Sequence, residues 1–577
     1  MRDVRSRLLH HLEVLYPEHD PESLCTELLG IMRLRQVEDA PVPPPASTWD
    51  ASNIFIITYA NSLLEDSDTP PLATLHDFLH RFLTPFISGV HILPFFPWSS
   101  DDGFAVMDYD QVNPELGDWS HIEAIAADFD LMADLVINHC SSQHPWFQNF
   151  QQGRKRGQNY FFTASPEDDL SAVIRPRTSE LLKTVETPEG TRHVWCTFGP
   201  DQVDLDFRNP EVLLEFIHII RHYLDRGIRA FRLDAVAFIW KEVGSNCLNL
   251  PQAHEIVRLL RALIEQADPE AIIITETNIP KRENLSYFGN SNEAHSIYNF
   301  SLPPLLLHTL LSGNCHHLKN WLMSMPPAQT GTFYFNFIAS HDGIGLRPAE
   351  GLLDDSEIET LIHTTEQFGG RISWRASSGL ERRPYEINIS LWDALQGNSE
   401  GEDEWQLERF LCAHTILLAL EGIPAFYIHS LLATGNDHQR VLASGHNRHI
   451  NRHHWSYDSL LAELGNSGSH HHQAFNHLLA RIAIRKRQAA FHPNATQFTL
   501  HLGEQVFAFW RQSLHREQSI FALHNISSQT QSIVLSDINL VDTDQWFELL
   551  TDQPLDITED SLRLAPYQCA WISNKKD

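Results

Sequence analysis

The sequence predicts an α/β chain: a (β/α)8 TIM barrel with inserted loop subdomains and a C-terminal antiparallel β domain. Two observations carry this. Eight short apolar runs alternate with helix-like runs through the body of the chain, and after residue 490 the texture changes to alternating strands separated by turn residues. The competing arrangement is a doubly wound sheet. The Gly-rich phosphate loop that such sheets often carry is missing, since neither GxGxxG nor Walker A spacing occurs.

Residues 1–50 read as a separate helical extension and linker. LLHHLEVLY and ESLCTELLGIMRLRQ repeat apolar residues at helical spacing, and the Pro-rich APVPPPAS ends the pattern. The charged first segment has no apolar h-region, so no signal peptide is expected. Residues 51–489 read as the barrel, with strands at IFIITY (54–59), GVHILPF (89–95), LMADLVIN (131–138), IRAFRLD (228–234), AIIITET (271–277), SIYNF (296–300), FNFIAS (335–340) and PAFYIH (424–429). Two connections, 140–205 and 343–405, are too long for simple crossovers. Such insertions commonly sit in the βα loops that build the active-site face. LCAHTILLALEGIPAFYI is interrupted by His414 and Glu421 and reads as a buried helix feeding a strand, not a membrane span. Residues 490–577 form the β domain, with strands in TQFTLHLG, QVFAFWRQ, QSIFALHN, QSIVLS and LRLAPYQCAWIS.

The chain carries 42 Lys+Arg against 74 Asp+Glu, a net charge of −32. That excess repels nucleic acid and anionic membranes, though a few local Arg can still capture a small anion. The seven cysteines are dispersed and lack CxxC spacing, which points to reduced thiols and a cytoplasmic location. The run His470, His471, His472 reads as a solvated loop rather than a metal site, because no Cys or acidic ligand accompanies it and HExxH is absent.

Polar residues recur where the expected strands end. Asp134, Asn138 and His139 close the third, Arg232 and Asp234 the fourth, Glu276 the fifth, and His341 and Asp342 follow the seventh. One such residue means only that a strand leaves the core. Four strands in order converge on one pocket in a barrel.

These stretches, DLVINH, FRLDAV, ITET and ASHDGIG, resemble the four ordered motifs of the alpha-amylase clan of retaining glycoside-active enzymes. GVHILPFFPWSSDDGF, IRPR, WCTFGPDQVDLDF, RLDAVAFIWKEVGSNCLNLP, FSLPPLLLHTL and RHINRH are similar to its sucrose-phosphorylase branch, over about residues 52–490. The resemblance implies Asp234 as nucleophile, Glu276 as general acid/base and Asp342 as transition-state stabiliser. It places His139 and His341 on the sugar hydroxyls, Asp101 and Arg448 at the far wall of the glucose subsite, and Phe104 under the sugar face. It assigns phosphate to Arg177 and Tyr385, with Arg382 beside them. It implies no metal or organic cofactor.

The chemistry agrees with those residue types. Retention needs two carboxylates about 5 Å apart across the scissile bond. Arg232 and Asp234 share one face of a strand, so the guanidinium can favour the carboxylate. Phosphate needs fixed cations among so many carboxylates, and Arg can grip it bidentately.

Within the branch, TETNIP, PYEIN and SHDGIGLRP, with the longer chain, resemble the glucosylglycerate phosphorylases more than the sucrose phosphorylases. This implies an α-glucoside and inorganic phosphate as partners, α-D-glucose 1-phosphate and D-glycerate as products, and a covalent glucosyl-enzyme. Asn278 and Glu386 differ from the sucrose-phosphorylase pattern and fall on the acceptor side. Glycerate carries a carboxylate, for which Lys281, Arg282 and Arg382 are the candidate cations. Whether Glu386 accepts acceptor hydroxyls or repels that carboxylate stays open in the sequence. Phosphorylases of sucrose, sucrose 6-phosphate or glucosylglycerol, a glucosidase or transglucosidase, and a non-catalytic sugar-binding protein are the alternatives; a homodimer is left open.

Overall fold

The structure is a computed structural model that describes residues 3–36, 48–66, 68–177, 179–376, 382–538, 545–555 and 560–576. Eight parallel strands close a barrel: β1 (Phe55–Thr58), β2 (Gly89–Ile92), β3 (Asp130–Val136), β4 (Ile228–Asp234), β5 (Ile272–Thr275), β6 (Ser296–Tyr298), β7 (Phe333–Asn336) and β8 (Ile423–Tyr427). Each strand pairs with the next in sequence, and β8 returns to β1 with Phe55 opposite Ala425. On the other side Phe55 pairs with Gly89, and a Cβ at residue 89 would lie 2.3 Å from the Phe55 ring. Glycine there lets the ring pack, and it meets Phe335 edge-on at 5.6 Å.

Strand β7 starts two residues before the run FNFIAS and stops inside it. Its ladder ends where Asn336 faces Pro424, which has no N–H to donate. Phe337–Ser340 is therefore a buried irregular segment leading directly to His341 and Asp342.

The connection after β3 holds the antiparallel pair His139–Ser141 and Gln202–Asp204, the helix Pro145–Gln152 and the hairpin Leu182–Trp195. The connection after β7 holds a three-stranded sheet in which Arg382–Asn388 lies between Ile344–Gly345 and Arg371–Ala376.

The first helices are docked rather than separate. Helix α1 (Val4–Leu15) is capped by Asp3, which accepts the Ser6 N–H at 2.7 Å, and α2 (Pro21–Ile31) is capped by Asp20. Their apolar faces, including Leu8, Leu12, Leu28 and Leu29, are buried in the main core. Helix α1 lies on the helix Pro251–Ala267 and α2 on Pro210–Asp225, the two helices flanking β4. His11 bonds Glu255 at 2.6 Å and Arg33 pairs with Asp225 at 2.8 Å. The Pro-rich segment APVPPPAS lies outside the described residues.

The histidine run is not a loop: His470 opens the helix His470–Arg485, capped by Ser469. His471 and His472 each bond a backbone carbonyl at 2.6 Å, and His470 stacks on Trp392. At the C-terminus, Val506–Gln512 and Ser519–Asn525 sit inside a six-stranded antiparallel sheet. These two strands are buried on both faces: Phe507, Phe509 and Ala522 join the barrel core, while Val506, Ala508 and Leu523 build a second core. Among the described residues, no helix is long and apolar enough to cross a membrane. LCAHTILLALEGIPAFYI forms the buried helix Gln406–Ala419 and β8.

Candidate active site

A polar column rises through the barrel to the site. His91 on β2 bonds Asp134 on β3 at 2.7 Å, and Asp134 also pairs with Arg232 on β4. Two residues along the same face, Asp234 accepts a hydrogen bond from Arg232 at 2.8 Å. Arg232 reaches Glu276 only at 4.0 Å. Glu276 instead accepts the Ala235 N–H at 3.0 Å. Ala235 supplies it from a left-handed conformation, φ 52°, that turns the chain sharply after Asp234.

Burial pushes the carboxyls of both Asp234 and Glu276 up, each partly opposed by Arg232. The two share one low-dielectric pocket, and their charges disfavour each other. A proton held by this pair belongs on Glu276, because Arg232 is bonded to Asp234 and stands off from Glu276.

Asp342 behaves oppositely. Burial raises it, but Arg448 at 2.6 Å, with Arg452 beside it, outweighs that and holds the carboxyl well below the usual range. Burial pulls His341 down to about 3, so its ring is neutral. It stacks on Phe104 with centroids 5.2 Å apart and planes within 6°. His139 is also buried and pulled down. It donates to the Phe104 carbonyl at 2.9 Å and accepts from Asn138 at 3.2 Å. Asp101 takes a hydrogen bond from Gln202 at 3.1 Å.

Arg448 lines the same pocket as Asp101, yet its ion pairs are with Asp342 and Glu386. It donates to both Glu386 oxygens, at 2.8 and 2.9 Å. Glu386 is thus a paired wall of the pocket, sharing the Arg448 guanidinium with Asp342. Arg177 lies over the Tyr385 ring at 6.0 Å, and Asn278 donates to the Tyr385 hydroxyl at 3.5 Å. The expected residues Asp101, Phe104, His139, Arg177, Asp234, Glu276, Asn278, His341, Asp342, Tyr385, Glu386 and Arg448 line one pocket of about 70 Å³. It shares Asp101, Arg177, Glu386 and Arg448 with an outer cleft of about 650 Å³.

Two expected cations do not join them. Lys281 is tied to Ser324 at 2.5 Å, and Arg282 is exposed on the short helix Lys281–Leu285. That helix turns both side chains away from the pocket. The Arg382 side chain lies outside the described residues.

Sequence reasoning missed Gln202, Phe198 and the Asp102–Arg452 pair. Asp102 sits at φ 47° beside Asp101 at φ 56°. This costly conformation is held by Arg452 at 2.6 Å and His449 at 2.7 Å. The doubled Asp in SSDDGF is the only trace of it in the sequence. Among the described residues, one group of His and Asp could converge on a metal ion: His76, His80 and Asp128, on the surface away from this pocket.

Residues 85–343 match the alpha-amylase family, described as "Alpha amylase, catalytic domain". The chain is 41% identical over 576 residues to a glucosylglycerate phosphorylase of Allomeiothermus silvanus, covering 99% of each protein. It is 40% identical over 527 residues to a glucosylglycerate phosphorylase of Escherichia coli, covering 91% of this chain and 92% of that one. Among solved structures, the sucrose 6F-phosphate phosphorylase from Thermoanaerobacter thermosaccharolyticum superposes with a TM-score of 0.71 at 25% identity, over 82% of this chain and 94% of that one. With near-complete coverage at that identity, on a barrel whose four strand ends converge as described, the chain belongs to the alpha-amylase family, in its group of glucosylglycerate phosphorylases.

Proposed function

We propose that the protein catalyses the reversible phosphorolysis of an α-glucoside of D-glycerate, with retention, giving α-D-glucose 1-phosphate and D-glycerate. One observation carries it: Arg177, 6.0 Å over the Tyr385 ring, brings a cation and a phenol into the same pocket as Asp234 and Glu276. A hydrolase needs no such cation. The 41% identity to a glucosylglycerate phosphorylase supports the acceptor.

In the first half-reaction Asp234 attacks C1 as Glu276 gives its proton to the departing glycerate oxygen. The C1–O bond breaks, and a glucosyl ester forms on Asp234. Positive charge develops on the ring, and ionised Asp342 with neutral His341 and His139 stabilises it through the hydroxyls. Phe104 backs the sugar face. Asp101 and Arg448 close the far wall. In the second half, phosphate enters against Arg177 and Tyr385, Glu276 takes its proton, and a phosphate oxygen displaces Asp234 from C1. Two inversions restore the α configuration.

The test is an acceptor screen with α-glucose 1-phosphate, reading phosphate release. D-Glycerate should release phosphate, and fructose, fructose 6-phosphate and glycerol much less. Liberation of free glucose alone, without phosphate dependence, identifies a hydrolase. Binding of glucosides with no turnover for any acceptor identifies a sugar-binding protein. Cytoplasmic location and a homodimeric assembly belong to the same proposal and are checked by fractionation and light scattering.

A further inference from the structure

A carboxylate-bearing acceptor needs a cation that Lys281 and Arg282 do not supply. Arg347 lies on the segment that runs from Asp342 along the wall formed by Tyr385 and Glu386. It opens the one-turn helix Arg347–Ala349, five residues after Asp342. The segment before it is stitched to the acceptor wall: Gly345 pairs with Glu386, and Leu346 donates its N–H to the Tyr385 carbonyl at 2.9 Å. Gly345 also lies against Asn278, where an added Cβ would stand 3.1 Å from the amide nitrogen.

The Arg347 side chain is half-buried, and among the described residues it has no hydrogen bond or ion pair. Burial and the nearby Arg375 both disfavour its charge; Glu350, Tyr385 and, least of all, Glu283 favour it. Glu350 is already committed to Arg375, at 2.5 Å. The Arg375 Nε is itself buried without a partner. Arg347 is thus left without a carboxylate of its own. An uncompensated cation withdrawn from water is costly, and an anion arriving beside it restores the balance.

We propose that Arg347 binds the carboxylate of the acceptor acid and so sets the preference for an acid over a neutral polyol. This rests on the phosphorolysis reading above.

Arg347→Gln keeps a hydrogen-bonding group on a shorter side chain but removes the charge; Arg347→Lys keeps the charge. In glucosyl transfer from α-glucose 1-phosphate, R347Q should lose about 100-fold in kcat/KM for D-glycerate, chiefly in KM, with R347K intermediate. Glycerol transfer and slow hydrolysis should change little, and Lys281→Ala should behave as wild type. An R347Q enzyme that uses glycerate as wild type does overturns the inference while leaving the function standing. Equal losses for glycerate and glycerol, or an equal rise in the KM for phosphate, overturn it as well. If R347Q does not fold, R347K decides: unchanged glycerate-to-glycerol selectivity in a stable R347K overturns the inference. A wild type inert toward glycerate overturns both readings together.

Discussion

Arg448 grips Glu386 through two parallel hydrogen bonds, 2.8 and 2.9 Å long, and Glu386 is only 2% exposed. Because Arg448 also holds Asp342, a change at Glu386 is felt at the glucose subsite. Glu386→Gln should lower kcat/KM by about tenfold or more, equally for glycerate and glycerol, since a buried charge loses its partner. Steady-state kinetics with both acceptors check this. A loss confined to one acceptor contradicts the shared role.

The proton assignment predicts a bell-shaped pH profile. Rates fall in acid as Asp234 takes up a proton and in alkali as Glu276 gives its proton up. Glu276→Gln should cost about 10²–10⁴-fold on the glucoside. With α-glucosyl fluoride, whose leaving group needs no proton, formation of the glucosyl ester should largely survive. Equal losses on both substrates rule out the acid role.

Arg177→Ala should raise the KM for phosphate about 10–100-fold while leaving hydrolysis of the glucoside nearly unchanged. The ratio of phosphorolysis to hydrolysis measures it. A uniform loss toward every nucleophile speaks against a dedicated phosphate residue.

Burial pulls His341 down to about 3 and His295, His414 and His524 to about 4. The unfolded chain binds more protons than the folded one between those values and about 6.5. Stability is thus fully present above about 6.5 and declines as pH falls, by about 1.4 kcal/mol per unit for each group. Denaturation midpoints between pH 7 and 4.5 should fall steeply, and His524→Gln should flatten the slope. An unaltered slope in that variant excludes His524 as a contributor.

Leu8→Ala should destabilise the protein by about 2–5 kcal/mol, because Leu8 is fully buried in the core that α1 shares with the helix Pro251–Ala267. Urea denaturation reads this directly. A cost under about 0.5 kcal/mol contradicts the docked position.

Strand alternation was enough to put Arg232 beside Asp234, because residues two apart on a strand must share a face. Apolar runs located all eight barrel strands for the same local reason. β7 alone is shifted, starting two residues early and ending where Asn336 faces Pro424 on a distant strand. What escaped the sequence depends on pairs far apart in the chain. Asp102 and Arg452 are 350 positions apart, and nothing near either one marks the other. Lys281 and Arg282 were misjudged for a related reason: following Glu276 in the chain does not fix a direction, and the helix Lys281–Leu285 leaves one tied to Ser324 and the other exposed.

The docked helices also impose an order in time. The ribosome makes α1 and α2 well before their seat, between Pro210 and Ala267. At about 5–20 residues per second, the apolar stripe bearing Leu8 and Leu28 waits roughly ten to forty seconds for its partner. The nascent chain therefore carries an exposed sticky surface through that interval, and β4, which bears Asp234, gains its outer support only when the delay ends.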